Sequence, residues 1–386
     1  MTATGRHAVA AGTVFDGTRL HHDCAVVIEG SRIAGIVPTR ELAATLPTCR
    51  LPQGTWLAPG FIDIQVNGGG DVLFNDAPTP EAIARIVAAH RRFGTTALLP
   101  TLISDTPDKM RAALDAVGRV VAENPSVLGI HLEGPFLSPH RPGAHNPAMI
   151  RVPDRHDAEL LAQPRPGVTL VTLAPEQVPA GFIARLVGAG MRVALGHSMA
   201  TYAQTRAALA EGLSGFTHLF NAMRPLDSRE PGPIAAALET PGAWFGMIVD
   251  GHHIAPAMLR LALRGMARPM LVTDAMPPVG GLRPSFMLNG EEIEVRGGRC
   301  ARADGTLAGA ALDMATAVRN SVELDGVPLT DALRFASTEP AEFLGLGDRL
   351  GHIAPGYRPD LVAFDPGDLT IHETWAAGKA PAASPR

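Results

Sequence analysis

Short apolar or β-branched runs alternate with amphipathic stretches from Phe61 to Ala275. Eight runs have strand length: Phe61 to Val66, Thr95 to Leu99, Val127 to Leu132, Val168 to Leu173, Arg192 to Leu195, Gly215 to His218, Trp244 to Val249 and Met270 to Thr273. That is the number of strands a closed parallel barrel needs. Between the first two, Pro80 to Phe93 places Ile83, Ile86, Val87 and His90 on one side and is followed by Gly94, the pattern of a helix packed on a sheet. Ala203 to Ala210 and Pro256 to Met266 predict similar helices. The alternation predicts an α/β fold, a TIM-like (β/α)8 barrel. A doubly wound open sheet shares the alternation, but no Gly-x-Gly-x-x-Gly opens a helix near the start.

The two ends carry a different pattern. Ala8 to Val14, Ala25 to Glu29, Arg32 to Val37 and Thr55 to Leu57 are short strands separated by turns. Asp360 to Phe364 returns to that style after the turn-rich Ala354-Pro355-Gly356-Tyr357-Arg358-Pro359. These segments predict a small β-sandwich domain built from both termini, 1–57 and 350–386, with the barrel over 58–349. Phe286 to Cys300 contains the hairpin signal Asn289-Gly290 and is expected to add strands to the small domain. The Ala/Pro-rich tail from Ala376 is expected to fray.

Composition narrows the functional class. The chain has 386 residues, 46% hydrophobic and 18% charged, enough apolar content for a large core. A net charge of −5 without a basic tract argues against nucleic acid or an anionic membrane surface as partner, which leaves small molecules. The three cysteines, Cys24, Cys49 and Cys300, form no Cys-x-x-Cys pair and read as packing residues in a reducing compartment. Met1 to Asp16 has no apolar core of secretory length, and no segment approaches the ~18 apolar residues of a membrane span. A soluble cytoplasmic protein is expected.

Candidate chemistry sits where the strand-like runs stop. Glu133 ends Gly129-Ile130-His131-Leu132-Glu133, and His197, His218 and Asp274 follow three later runs. In a parallel barrel the C-terminal strand ends converge on one mouth. One carboxylate and two neutral imidazoles suit Zn²⁺ or another first-row divalent ion, with a position left open for water. Spacing alone does not link these residues, since a strand-end His is also commonly satisfied by backbone. Asp274 has two readings, a cap on a strand-to-helix turn or the general base that takes a proton from water.

Longer segments are more specific. Pro59-Gly60-Phe61-Ile62-Asp63-Ile64-Gln65-Val66-Asn67-Gly68, His131-Leu132-Glu133-Gly134-Pro135, Gly196-His197-Ser198, Thr217-His218-Leu219-Phe220-Asn221-Ala222-Met223 and Thr273-Asp274-Ala275 occur in order. Together they resemble the N-acetylglucosamine-6-phosphate deacetylases of the amidohydrolase superfamily, over about Thr13 to Phe364. Pro-Gly-Phe-Ile-Asp marks only the superfamily, whereas His-Leu-Glu-Gly-Pro with His-Leu-Phe-Asn-Ala-Met marks the deacetylase branch. Many amidohydrolases carry His-x-His after the first strand and bind two metals; Gln65-Val66-Asn67 stands there in this chain. The resemblance therefore implies one divalent ion, Zn²⁺ foremost with Fe²⁺, Mn²⁺ and Co²⁺ as alternatives, held by Glu133, His197 and His218. Gln65 and Asn67 either orient the water or tie the first strand to its neighbours.

The resemblance also implies a substrate and its contacts. It points to hydrolysis of the acetamide of N-acetylglucosamine 6-phosphate, with Asp274 as acid–base and His145 as oxyanion donor. It places Ala144, His145, Asn221 and Ala222 against the sugar, Arg229 and His253 on the phosphate, and Leu307-Ala308-Gly309 near the acetyl group. One clamp residue comes across a homodimer interface in that family. His252, beside His253, leaves open which imidazole meets phosphate. The 4-hydroxyl epimer, N-acetylgalactosamine 6-phosphate, is the alternative substrate. A dihydroorotase-like enzyme is disfavoured by Gln65-Val66-Asn67 and Glu133, and a metal-free scaffold by the intact ligand set.

Overall fold

The computed structural model describes residues 5–380. Eight parallel strands form one sheet in sequential order: β1 (Phe61–Val66), β2 (Thr95–Ile103), β3 (Gly129–Glu133), β4 (Val168–Leu173), β5 (Arg192–Leu195), β6 (Gly215–Phe216), β7 (Trp244–Met247) and β8 (Arg268–Leu271). All eight predicted runs are strands. Past the two ends of this order, Val66 bridges Ala275 in parallel, and the Asn67 and Gly68 N–H groups both donate to the Ala275 carbonyl at 2.9 Å, which closes the barrel. Every residue of β1 and β2 is buried, as expected for strands covered on both faces.

The helices follow from capped, periodic sequence. α1 (Pro80–Arg91) lies where the 3.6-residue period places it. In α2 (Pro107–Glu123), Thr106 accepts from the Lys109 N–H, Pro107 opens the first turn, and Met110, Ala113, Leu114, Val117 and Val120 are buried on one stripe. α3 (Arg155–Leu161) and α4 (Phe182–Gly188) are shorter, and α5 (Tyr202–Ala210) has a capping box of Thr201 and Gln204. α6 (Gly232–Glu239) precedes α7 (Pro256–Ala262), which stops short of the expected Met266. There Arg264 and Gly265 donate to the carbonyls three residues back, and Met266 donates to Leu238, so the last turn tightens and the chain leaves the helix.

Contacts divide the chain into two compact units. One holds the described residues up to Asp63, His90–Ala97 and the described residues from Asp313 on; the other holds Ile64–Ala89 and Leu98–Leu312. In the first unit, both termini share one seven-stranded sheet in which Arg6–Phe15 pairs with Leu20–Glu29, with Thr48–Arg50 and with Trp56–Pro59, and Leu361–Phe364 pairs with Trp56–Pro59. Alternation along Arg6–Phe15 sends Val9 and Ala11 into one apolar cluster and Ala8 and Ala10 into another, so each face of the sheet has its own core. α8 (Met314–Glu323), α9 (Leu329–Ala336) and α10 (Thr338–Phe343) group with this unit, whereas the sequence reading ended the barrel at 349.

The hairpin expected to extend the terminal sheet does not do so. β9 (Ser285–Leu288), β10 (Glu291–Arg296), β11 (Arg299–Ala301) and β12 (Leu307–Ala310) make a separate antiparallel sheet in the second unit. Phe286, Leu288, Ile293, Cys300 and Ala308 instead pack with Leu73, Ile103 and Met276, apolar residues of that unit. The tail is also better held than expected at its start: the Ala377 N–H donates to Asp360 at 2.7 Å, and Ala376 bridges Lys379. Its remainder, 381–386, lies outside the described residues. Cys24, Cys49 and Cys300 are all free thiols.

Candidate metal centre and substrate cavity

Strand ends deliver the ligands. Glu133 is the last residue of β3, and His197 and His218 follow β5 and β6 by two residues. Glu133 Oε1 lies 3.1 Å from His197 Nε2 and 3.0 Å from His218 Nε2, and the two Nε2 atoms are 3.0 Å apart. A tetrahedral ion with N and O ligands at about 2.0–2.1 Å separates its ligand atoms by about 3.3 Å, so this near-equilateral triangle has the size of one tetrahedral face. His197 Nδ1 donates to the Arg141 carbonyl at 2.8 Å, which leaves its Nε2 lone pair facing the triangle. A carboxylate oxygen and two imidazole nitrogens held about 3 Å from one another call for a cation or protons between them to offset the repulsion of their electron pairs. All three residues are buried.

The electrostatics agree with that geometry. Burial acts to raise the Glu133 carboxyl, but the imidazoles of His145, His197 and His218 outweigh it and hold it well below the carboxylate range. Burial opposes charge on His218 too, yet contact with Glu133 raises its affinity for a proton. Asp274 is pushed up to about 6, by burial first and then by the negative charge of Glu133. The donors fit a divalent ion, and the set is the one expected from sequence.

The backbone at this site is unusual. His197, His218 and Asp274 have φ of +47°, +33° and +51°, in the left-handed region that side chains with a Cβ rarely occupy. Gly143 packs so closely that a Cβ there would lie 2.9 Å from His197 Cε1. Beneath the ligands, His131 Nε2 meets Thr172 Oγ1 at 2.7 Å, and Thr172 Oγ1 meets Thr217 Oγ1 at 2.6 Å, a buried polar row across β3, β4 and the end of β6.

A cavity of about 360 Å³ opens on the centre, within the ~300–1,000 Å³ range of small-molecule sites. Its walls include Asn67, Glu133, Ala144, His145, His197, His218, Asn221, Ala222, His253, Asp274 and Leu307-Ala308-Gly309. Most of the residues singled out in the sequence therefore meet in one place. Gln65 does not line it: buried behind the centre, it donates to Glu133 Oε2 at 3.1 Å and to Asp274 Oδ1 at 3.2 Å. Asn67 Nδ2 donates to the same Asp274 oxygen at 2.6 Å, so the two amides orient the carboxylate. Arg229 is exposed and lies outside the cavity lining of its own chain. The two adjacent imidazoles separate: His252 Nε2 turns to the Gly297 carbonyl at 3.1 Å, and His253 lines the cavity.

Several participants had no signal in the sequence. Ser104 offers its backbone N–H to His145 Nδ1 at 3.1 Å, with its hydroxyl 2.8 Å from the same nitrogen. An N–H can only donate, so His145 Nδ1 is the acceptor and the proton of the neutral ring sits on Nε2. Burial, then the neighbouring His197, depress the His145 pKa to about 4, which favours that neutral ring. Leu288 and Thr306 also reach the cavity wall, beside Leu307, Ala308 and Gly309, which the resemblance had already placed at the substrate. No local motif links Leu288 or Thr306 to the barrel mouth.

Known proteins show the same organisation. Residues 56–381 match the Amidohydrolase family. The N-acetylgalactosamine-6-phosphate deacetylase of Shewanella sp. (strain ANA-3) is 40% identical over 377 residues, 96% of this chain and 95% of the relative. The N-acetylglucosamine-6-phosphate deacetylase of Haemophilus influenzae is 35% identical over 349 residues, 89% of this chain and 91% of the relative. Among solved structures, the N-acetylglucosamine-6-phosphate deacetylase from Pasteurella multocida has a TM-score of 0.94 at 33% identity, covering 98% of this chain and 100% of that one. The enzyme from Mycobacterium smegmatis in complex with N-acetyl-D-glucosamine-6-phosphate has a TM-score of 0.88 at 36% identity, covering 97% and 99%. On the extent of these matches, the chain belongs to the amidohydrolase family.

Proposed function

We propose that the chain hydrolyses the acetamide of N-acetyl-D-glucosamine 6-phosphate to D-glucosamine 6-phosphate and acetate. The observation that carries this reading is the triangle of Glu133, His197 and His218 in one cavity with Asp274 and His145. Glu133, His197 and His218 hold one divalent ion, Zn²⁺ foremost, with Fe²⁺, Mn²⁺ and Co²⁺ compatible with the same donors. Such an ion, when bound, polarises the amide carbonyl and acidifies a water. Asp274, held by Gln65 and Asn67, accepts a proton from the attacking water and returns it to the nitrogen as the C–N bond breaks. His145 donates its Nε2–H to the oxygen that gains charge, a role suited to the tautomer set by Ser104.

Around this centre Ala144, Asn221 and Ala222 position the sugar, Leu307-Ala308-Gly309 face the acetyl group, and His253 meets the phosphate. Arg229, exposed in its own chain, suits a clamp supplied to a second copy, so the reading includes a homodimer. The free thiols of Cys24, Cys49 and Cys300 support a reducing, cytoplasmic setting. Among the described residues, no helix is long and apolar enough to cross a membrane.

A second reading keeps the chemistry and takes the 4-epimer, N-acetylgalactosamine 6-phosphate. It is favoured by the 40% identity to the Shewanella N-acetylgalactosamine-6-phosphate deacetylase, against 35% to the Haemophilus N-acetylglucosamine-6-phosphate deacetylase. Acetate release measured on both phosphorylated epimers and on unphosphorylated N-acetylglucosamine, with metal content taken on the same sample, separates the readings. A kcat/KM higher on the galacto epimer moves the assignment to the second. No release from either phosphorylated sugar by metal-loaded protein refutes both.

A further inference from the structure

His253 is built into its position by Asp250. The Asp250 carboxylate accepts the His252 N–H at 2.8 Å, the His253 N–H at 2.9 Å and His253 Nδ1 at 2.6 Å. The two side chains are only 5% and 7% exposed, so the pair is shielded from solvent. Burial acts to raise the Asp250 carboxyl, and the contact with His253 outweighs it. With Nδ1 committed to Asp250, Nε2 is the one ring nitrogen of His253 left to serve the cavity that this residue lines.

We infer that Asp250 is a positioning residue for recognition of the substrate phosphate: it fixes the His253 ring and lets it face an incoming dianion as an imidazolium, donating to Asp250 through Nδ1 and to phosphate through Nε2. The inference rests on the phosphate reading given above. Asp250 itself touches no substrate. An imidazolium between two anions makes charge-assisted hydrogen bonds on both sides, each roughly twice as strong as a neutral one. A cap that merely shaped the Gly251 turn would need only the two backbone N–H groups. The third contact, to the ring, is what links Asp250 to the cavity.

Asp250→Asn tests this, because an amide oxygen still accepts both backbone N–H groups while its NH₂ faces Nδ1 and excludes the doubly protonated ring. kcat/KM for the phosphorylated sugar should fall about tenfold more than for the unphosphorylated sugar, mainly through KM. His253→Gln should lower the same ratio, and adding Asp250→Asn to it should lower the ratio no further. Equal losses on both sugars, an unchanged ratio, or additive effects in the double variant would overturn the role of Asp250. The wild-type ratio reads the parent assignment separately: no preference for the phosphorylated sugar overturns that assignment and the inference with it.

Discussion

Gly143→Ala is the perturbation whose effect the geometry constrains most tightly. Gly143 has a φ of +55°, where a residue with a Cβ costs about 1–2 kcal/mol. The new methyl would also lie 2.9 Å from His197 Cε1 and 3.4 Å from Nδ1. The ring cannot swing away freely, because Nδ1 is bonded to the Arg141 carbonyl at 2.8 Å and Nε2 belongs to the ligand triangle. Gly181→Ala is the matched control: its φ is +80°, and nothing lies within 4 Å of its Cβ position. Both variants should lose the backbone contribution, about 1–2 kcal/mol by denaturant unfolding. Only Gly143→Ala should also weaken metal retention, by about 10–100-fold, the usual effect of disturbing what orients a ligand. The assay is metal remaining after titration with a competing chelator, read by elemental analysis beside the unfolding midpoint. Gly143→Ala that holds metal as tightly as Gly181→Ala would refute the claim that this close contact fixes His197.

Three other outcomes follow from the site. Asp274→Asn should keep fold and metal content but lose about 10²–10⁴ in kcat, and a loss below tenfold would remove Asp274 from proton transfer. Because Asp274 must be ionised to accept a proton and is raised to about 6 by burial and Glu133, kcat/KM should fall as pH drops through that region. A bound cation offsets Glu133 and moves this limb below 6, so a pH–rate profile of metal-loaded enzyme with its acid limb well above 6 would contradict the assignment. Chelation should lower Tm, since ligand at about 1,000 times its Kd stabilises the native state by ~4 kcal/mol; a Tm unchanged on metal removal and restoration would place the metal elsewhere.

The sequence made some layers legible and hid others for physical reasons. Parallel barrel strands are buried on both faces and read as mostly apolar or β-branched runs, so all eight stood out, and Glu133, His197, His218 and Asp274 were visible as polar residues at or just past their ends. The Phe286–Cys300 hairpin was visible as a hairpin, but its sheet was not, because alternation reports one buried face without saying what it is buried against. Ser104 was invisible because its orienting group includes a backbone N–H, which every residue but proline possesses. Asp250 lies three residues before His253 with no repeating period to flag the pair. The choice between His252 and His253 needed the path of the loop, which sends one ring to Gly297 and the other to the cavity.

The left-handed backbone at His197, His218 and Asp274 bears on how this protein responds to selection. Glycine, or at less strain asparagine, relaxes such positions, whereas the histidines and the aspartate keep the chain where it costs on the order of 1 kcal/mol or more each. A library screened for heat resistance as metal-free protein would thus be drawn toward replacing these residues, whereas in metal-loaded protein the loss of ~4 kcal/mol of metal stabilisation outweighs the strain relieved at His197 or His218. Backbone ease and catalytic competence are opposed at these three positions only while the metal is absent, so a campaign to harden the scaffold must screen metal-loaded protein and search among the terminal sheet and outer helices.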